Sequence, residues 1–376
     1  MKLSLTKRLY TLDIARGLAA ISIVFWHWQH FFYTSSGALP AHFDWQRIPL
    51  YSTLPWLFEH VGILSLYFFF SLSGFVFFGL YGQSIAQGQC SARTFFVARI
   101  ARLYPLHVLS LVLVAGLQCY YSWQYNEYFV FLINDSYHFF LNIFLINAWG
   151  IQEGFSFNGP IWSVSSECLF YLLFFFLARL KQSKLSSVLL LIICLICLRS
   201  YAGYQLGQLK AYALVAGFES FLWGGVSYLV TQSYVQLSLK PNIKKAIFYL
   251  CASLTILGLS SLLILTQSAL QGTGYDLMAR TLIPMSLFTL VVWERHSLLR
   301  FKRLAWLGDI TYSVYLLHFP LQLLCEMFRR QLGLGHEIYS SVGFMLLFFM
   351  LLIPISYASY LYVEVPLRKW IRLRYS

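Results

Sequence analysis

Apolar stretches of roughly 16–22 residues recur along the whole chain, broken by short polar connectors in which Lys and Arg cluster. That length suits a helix crossing ~30 Å of hydrocarbon and is about twice the ~10-residue alternating segment of a membrane β-barrel. The stretches fall at about 12–33, 61–81, 99–119, 160–179, 185–200, 211–231, 246–266, 278–294, 304–327 and 340–362. An eleventh, Tyr137–Trp149, is too short to cross and carries Asn142 and Asn147, so it predicts a re-entrant or interfacial helix. The pattern predicts an all-α polytopic membrane protein of about ten transmembrane helices. No linker or soluble appendage interrupts it, and residues 1–376 read as a single transmembrane domain.

Composition excludes the soluble classes. Hydrophobic residues make up 59% of the chain and charged ones 11%, with a mean hydropathy of +0.65, whereas soluble domains carry about 25% charge. The net charge of +13 forms no single basic patch of the kind nucleic acid requires. With the N-terminus inside, only Arg47, Arg199, Lys210, Arg280, Arg329 and Arg330 of the 27 basic residues fall on the outer side. The positive-inside rule therefore predicts cytoplasmic termini. Lys2, Lys7 and Arg8 precede an apolar stretch as in a signal peptide, but that stretch is long and contains Asp13 and Arg16. It reads as a retained first span. The seven cysteines show no metal-ligand spacing, and Cys194 and Cys197 lie inside an apolar run as small packing residues.

Polar residues within the spans mark the candidate chemistry. Arg16 and His27 share the first stretch, eleven helical steps apart, which places them on nearly one face about 16 Å from each other. An arginine in hydrocarbon costs roughly 3 kcal/mol and is rarely kept without a partner or a polar pathway. His27 suits a general base, since imidazole titrates near neutral pH, or a hydrogen-bonded core histidine beside the interfacial belt of Trp26, Trp28 and His30. Arg99 and Arg102 share a helix face, with Arg93 upstream, and guanidinium forks bind phosphates; anchoring at the inner surface is the plainer alternative. Glu167 follows the helix start Asn158–Ser163, one turn beyond Ser163, where it could orient an imidazole or be held by the helix dipole. Gly74 and its neighbours suggest close helix packing. His318 reads as a cavity-lining or cross-helix polar group, and Glu364 with Arg368 as an i,i+4 ion pair.

Taken in order, these segments resemble the membrane-bound acyltransferase-3 family over nearly the whole chain. Leu12-Asp13-Ile14-Ala15-Arg16-Gly17 followed by His27 is similar to its first-helix signature of Arg, ten residues, then His. Phe70–Phe75 resembles its Leu-Ser-Gly-Phe element, and Arg99-Ile100-Ala101-Arg102 its Arg-x-x-Arg motif. Pro160–Glu167, including Ser163 and Ser165, resembles its Trp-Ser-x-Ser-x-Glu element, and the Tyr315–Pro320 and Glu364–Pro366 stretches its C-terminal signatures. Ile14 replaces a common Gly, and Cys168 a second Glu, leaving Glu167 the carboxylate at that point. The resemblance implies transfer of an acyl group, foremost acetyl, from cytoplasmic acyl-CoA to a hydroxyl of an extracytoplasmic glycan or glycolipid at a bacterial inner membrane. It implies no permanently bound cofactor. On that reading His27 and Glu167 are catalytic, and Arg16, Arg99 and Arg102 hold the donor. Asp13, Ser163, Ser165, Gly74 and His318 support them. The rival is a proton-coupled transporter or flippase in which His27, Glu167 and His318 relay protons.

Overall fold

Hydrocarbon offers backbone N–H and C=O groups no partner, so each apolar stretch must close its hydrogen-bond ladder internally. The computed structural model is accordingly 79% helical, with no strand among the described residues. It describes residues 8–205, 209–264, 273–296 and 302–375. Lys2, Lys7 and Arg300 of the charge pattern lie outside them.

The helices are α1 (Tyr10–Trp26), α2 (Val61–Phe77), α3 (Ala92–Tyr125), α4 (Ser136–Ile143), α5 (Trp162–Arg179), α6 (Leu185–Gln205) and α7 (Leu209–Gln236). They continue as α8 (Pro241–Ser261), α9 (Thr273–Arg280), α10 (Leu282–His296), α11 (Thr311–Gln331), α12 (Val342–Ser359) and α13 (Val365–Tyr375). Each predicted stretch falls on a helix, with residues 265 and 266 of the seventh outside the described ones, and among the described residues seven helices are long and apolar enough to cross a membrane. The others are shorter or more polar: α1 has 17 residues, and α11 buries His318, Gln322 and Glu326. The eighth stretch is broken at Thr281 and the ninth starts at Thr311, after the short helix Trp306–Asp309. The short α4 has eight residues, about 12 Å of rise, and ends near Leu145 in a left-handed conformation (φ 54°). Asp135 caps it, accepting from the His138 backbone N–H at 2.8 Å and, closely, from the ring Nδ1. These two bonds hold its carboxyl below the usual carboxylate range. Cys194 and Cys197 are free thiols exposed on α6 rather than packed inside.

The chain divides into two compact units. The first comprises residues 1–19, 63–91 and 167–308. In it α2 crosses α7 through glycines: a Cβ at Gly74 would overlap the carbonyl oxygen of Phe221, and one at Gly224 that of Ser71. Small residues allow such backbone approach, and in lipid that dispersion contact replaces the missing hydrophobic drive. A buried ion network joins three helices. Arg199 meets Asp276 at 2.5 Å and Glu219 at 3.6 Å, while Arg280 meets Glu219 at 2.5 Å. Glu294 on α10 caps α1, accepting from the Tyr10 and Thr11 backbone N–H groups at 2.8 Å each and from the Thr11 hydroxyl at 2.6 Å. Replacing Glu294 with Ala should cost about 1–3 kcal/mol, since it orphans helix-end donors. Thermal unfolding in detergent micelles measures it, and an unchanged Tm would remove the cap.

The second unit comprises residues 20–62, 92–166 and 309–376. Here α3 packs against α11 and α13, and α11 against α12. Fully buried Trp28 donates from Nε1 to the Tyr339 carbonyl at 3.0 Å and packs edge-on to Phe348. Glu364 departs from expectation. A π-bulge at Tyr360–Glu364 leads directly into α13, whose regular turns begin at Val365. The carboxylate instead turns inward and accepts from the Ser313 hydroxyl.

Candidate active site

At its end α1 tightens into a 3₁₀ turn, His27–Phe32. Three residues per turn eclipse positions i and i+3, so the rings of His27 and His30 stack at 4.6 Å with 20° between planes. On the other side the His27 ring lies nearly parallel to His318 of α11, at 4.9 Å and 5°. His27, His30, His318 and Gln322 are all buried. Local spacing thus makes one histidine contact, and a residue 291 positions away makes the other.

The hydrogen bonds fix which nitrogen carries each proton. His318 Nδ1 lies 2.7 Å from the Tyr315 carbonyl, which only accepts, so Nδ1 bears the hydrogen. Its Nε2 then holds a lone pair, and this accepts from His27 Nδ1–H at 2.9 Å. A neutral His27 is left with its own Nε2 unprotonated, the form a general base needs. Gln322 locks the turn from below. Its Nε2 donates to the His27 carbonyl at 2.9 Å, and its Oε1 accepts from His30 Nδ1 at 3.1 Å.

The start of α5 is clipped to α11 beside this cluster. The Tyr315 hydroxyl donates to the Pro160 carbonyl at 2.5 Å and receives the Ser163 hydroxyl at 2.7 Å. Pro320 inside α11 has no N–H for the Leu316 carbonyl one turn earlier. Asn158 supplies the missing donor at 3.0 Å. Ser165 faces the loop after α4, donating to the Leu145 carbonyl at 2.8 Å and accepting from the Ala148 N–H at 3.0 Å.

Arg99 and Arg102 lie on α3 in the same unit, Arg99 buried and Arg102 half-buried. Burial distinguishes Arg99 from a surface anchor, whose guanidinium reaches water. Arg93 is exposed and donates to the Tyr375 carbonyl at 3.0 Å. The remaining predicted residues belong to the first unit. There Asp13 is gripped by two arginines, Arg8 at 2.5 Å and Arg16 at 3.1 Å, and Arg16 also donates to the Gly308 carbonyl at 2.6 Å. Glu167 accepts from the Ser73 hydroxyl, next to Gly74. At His27, the partner that orients the imidazole is His318.

Sequence reasoning gave no site role to His30, Gln322 or Tyr315, although Tyr315 opens one of the C-terminal signature stretches. The i,i+3 histidines in Trp26-His27-Trp28-Gln29-His30 and the i,i+4 pair His318 and Gln322 were the available signals.

Comparison with known proteins bears on the same residues. No solved structure matches. "Protein 2 in picA locus" from Rhizobium radiobacter is 36% identical over 116 residues, 31% of this chain and 49% of that protein. The chain thus spans about half the length of that curated relative. Residues 9–361 match the acyltransferase-3 family, described as an acyltransferase domain. That match takes in both arginine motifs, the histidine cluster and the start of α5, and the chain belongs to this family of membrane acyltransferases.

Proposed function

We propose that the protein transfers an acetyl group from cytoplasmic acetyl-CoA to a hydroxyl of an extracytoplasmic glycan or glycolipid, in a bacterial inner membrane with both termini cytoplasmic. The observation that carries this is His27, whose Nδ1 is held by His318 so that Nε2 can take a proton. In the reaction, Nε2 removes the acceptor's hydroxyl proton as the oxygen attacks the thioester carbonyl. The C–O bond forms, the tetrahedral intermediate collapses with loss of the C–S bond, and the imidazolium returns its proton to the departing CoA sulfur. The guanidinium forks of Arg99 and Arg102 hold the donor's phosphates.

Membranes containing the protein, supplied with acetyl-CoA labelled in the acetyl group, test this directly. The expected result is labelled glycan or glycolipid together with free CoA. Intact thioester alongside moved acceptor would replace the enzyme with a transporter. A second measurement addresses His318. His318→Leu, which leaves His27 Nδ1 without its acceptor, should lower kcat by about 10²-fold. That is less than the ~10⁴-fold lost when a charged orienting aspartate is neutralised. His318→Gln keeps an acceptor oxygen and should recover part of the rate, and equal rates in the two variants would exclude the tautomer argument.

A further inference from the structure

Beyond the 3₁₀ turn that carries His27, a cleft of about 660 Å³ opens within the second unit. That volume falls inside the roughly 300–1,000 Å³ range of small-ligand sites. Its walls come from the end of the turn, the loop Glu127–Val130 and the segment Gly335–Glu337 after α11.

The walls are built rather than incidental. Val130 adopts a left-handed conformation (φ 62°), costly for a β-branched residue and typical of ligand-shaped backbone. Buried Gln118 holds that loop in place, donating to the Phe129 carbonyl at 2.8 Å and accepting from the Phe129 N–H at 3.0 Å. Arg330 is fixed as well. It bonds Glu326 at 2.7 Å and Glu127 at 2.5 Å, with its guanidinium over the rings of Tyr121 at 5.1 Å and Tyr125 at 4.7 Å.

What the cleft offers a ligand is mixed. Tyr33 and Tyr128 contribute aromatic faces, Arg47 donors, Glu337 acceptors, and Thr34 and Ser35 hydroxyls. Partial burial and the nearby Arg329 guanidinium push the His336 imidazole below its ordinary value, so at neutral pH it offers one donor and one acceptor. Two arginines face three glutamates in the lining, a balance that disfavours phosphate or carboxylate ligands. An acyl chain would leave these polar groups unpaired at a cost of about 1–3 kcal/mol each. The histidines lie two ring contacts from the lining: Tyr33 packs edge-on to His30 at 5.3 Å, and His30 stacks on His27 at 4.6 Å.

We propose that this cleft binds an uncharged saccharide unit of the acceptor, with Arg47, Tyr128 and Glu337 as its recognition groups. The assignment rests on the acyltransferase reading for its link to His27, but binding itself needs no donor.

The test uses the full chain in lipid nanodiscs without acyl-CoA. Short neutral gluco-, manno-, galacto- and rhamno-oligosaccharides are compared with oligogalacturonides by saturation-transfer NMR and titration. Neutral oligosaccharides should bind, and Arg47→Ala and Glu337→Gln, both exposed positions, should each weaken binding about tenfold. Lys244→Ala, in the other unit, should not weaken it. Preference for the oligogalacturonides, no neutral oligosaccharide bound, or affinity unchanged in both cleft variants would overturn the proposal. A parallel assay of acetyl transfer by the wild-type protein separates the two readings. Saccharide binding without transfer upholds the cleft and removes the reaction, whereas transfer with binding untouched by the variants removes the cleft alone.

Discussion

Replacing His27 with Ala is expected to lower acetyl transfer by about 10²–10⁴-fold, the range a positioned general base supplies. The side chain is buried between two rings, so its loss also leaves a cavity. Its carbonyl, however, still accepts from Gln322, and the turn keeps that anchor. Membrane abundance and acetyl-CoA binding should therefore persist while kcat collapses. His27→Gln separates chemistry from packing, because an amide fills much of the imidazole's space and can face His318 but cannot accept a proton at neutral pH. It should be as inactive as the alanine variant and better folded. A His27→Gln protein that still transfers acetyl at the wild-type rate would remove the imidazole from the mechanism, however well the geometry suits it.

The apolar lengths were legible because the bilayer imposes them: all ten stretches lie on helices, and the stretch containing Asn142 forms only the short α4. The breaks were not. At Ile310 and Thr281 the residues themselves are ordinary helix occupants. Nor did the residue types around Tyr360–Glu364 announce a π-bulge, or the spacing of Glu364 and Arg368 show that the carboxylate meets Ser313, 51 residues away. At the candidate site, His27 stood out as a titratable group in an apolar run. Its partner did not, because the His27–His318 bond joins helices 291 residues apart and depends on tertiary packing. Glu167 fitted the orienting role by chemistry alone. In the structure its carboxylate meets Ser73, and a neutral imidazole orients His27. A neutral partner holds the tautomer without stabilising the imidazolium as a carboxylate does, which is why the His318 effect is expected to stay below that of a triad aspartate.

Gly74→Leu should strongly destabilise the first unit. At the α2–α7 crossing even a methyl group on residue 74 overlaps the Phe221 carbonyl oxygen and crowds the Gly225 nitrogen. Those atoms are backbone, so no side-chain rotation relieves the clash and the helices must separate. Overpacking in ordinary cores costs about 1–3 kcal/mol; a backbone obstacle puts this case at about 3 kcal/mol or more. Gly116 provides the control. It also lies mid-helix, on α3, but a Cβ there meets nothing within 4 Å, so Gly116→Leu should stay within about 1 kcal/mol of wild type. Fluorescence-detected size exclusion after a heating series distinguishes the two, and equal Tm values would show that α2 and α7 do not depend on the glycine contact. The consequence extends to chemistry, because Ser73 precedes Gly74 and donates to Glu167. Moving α2 away from α7 shifts that donor, so milder Gly74→Ala should reduce acetyl transfer by a larger fraction than it reduces folded protein.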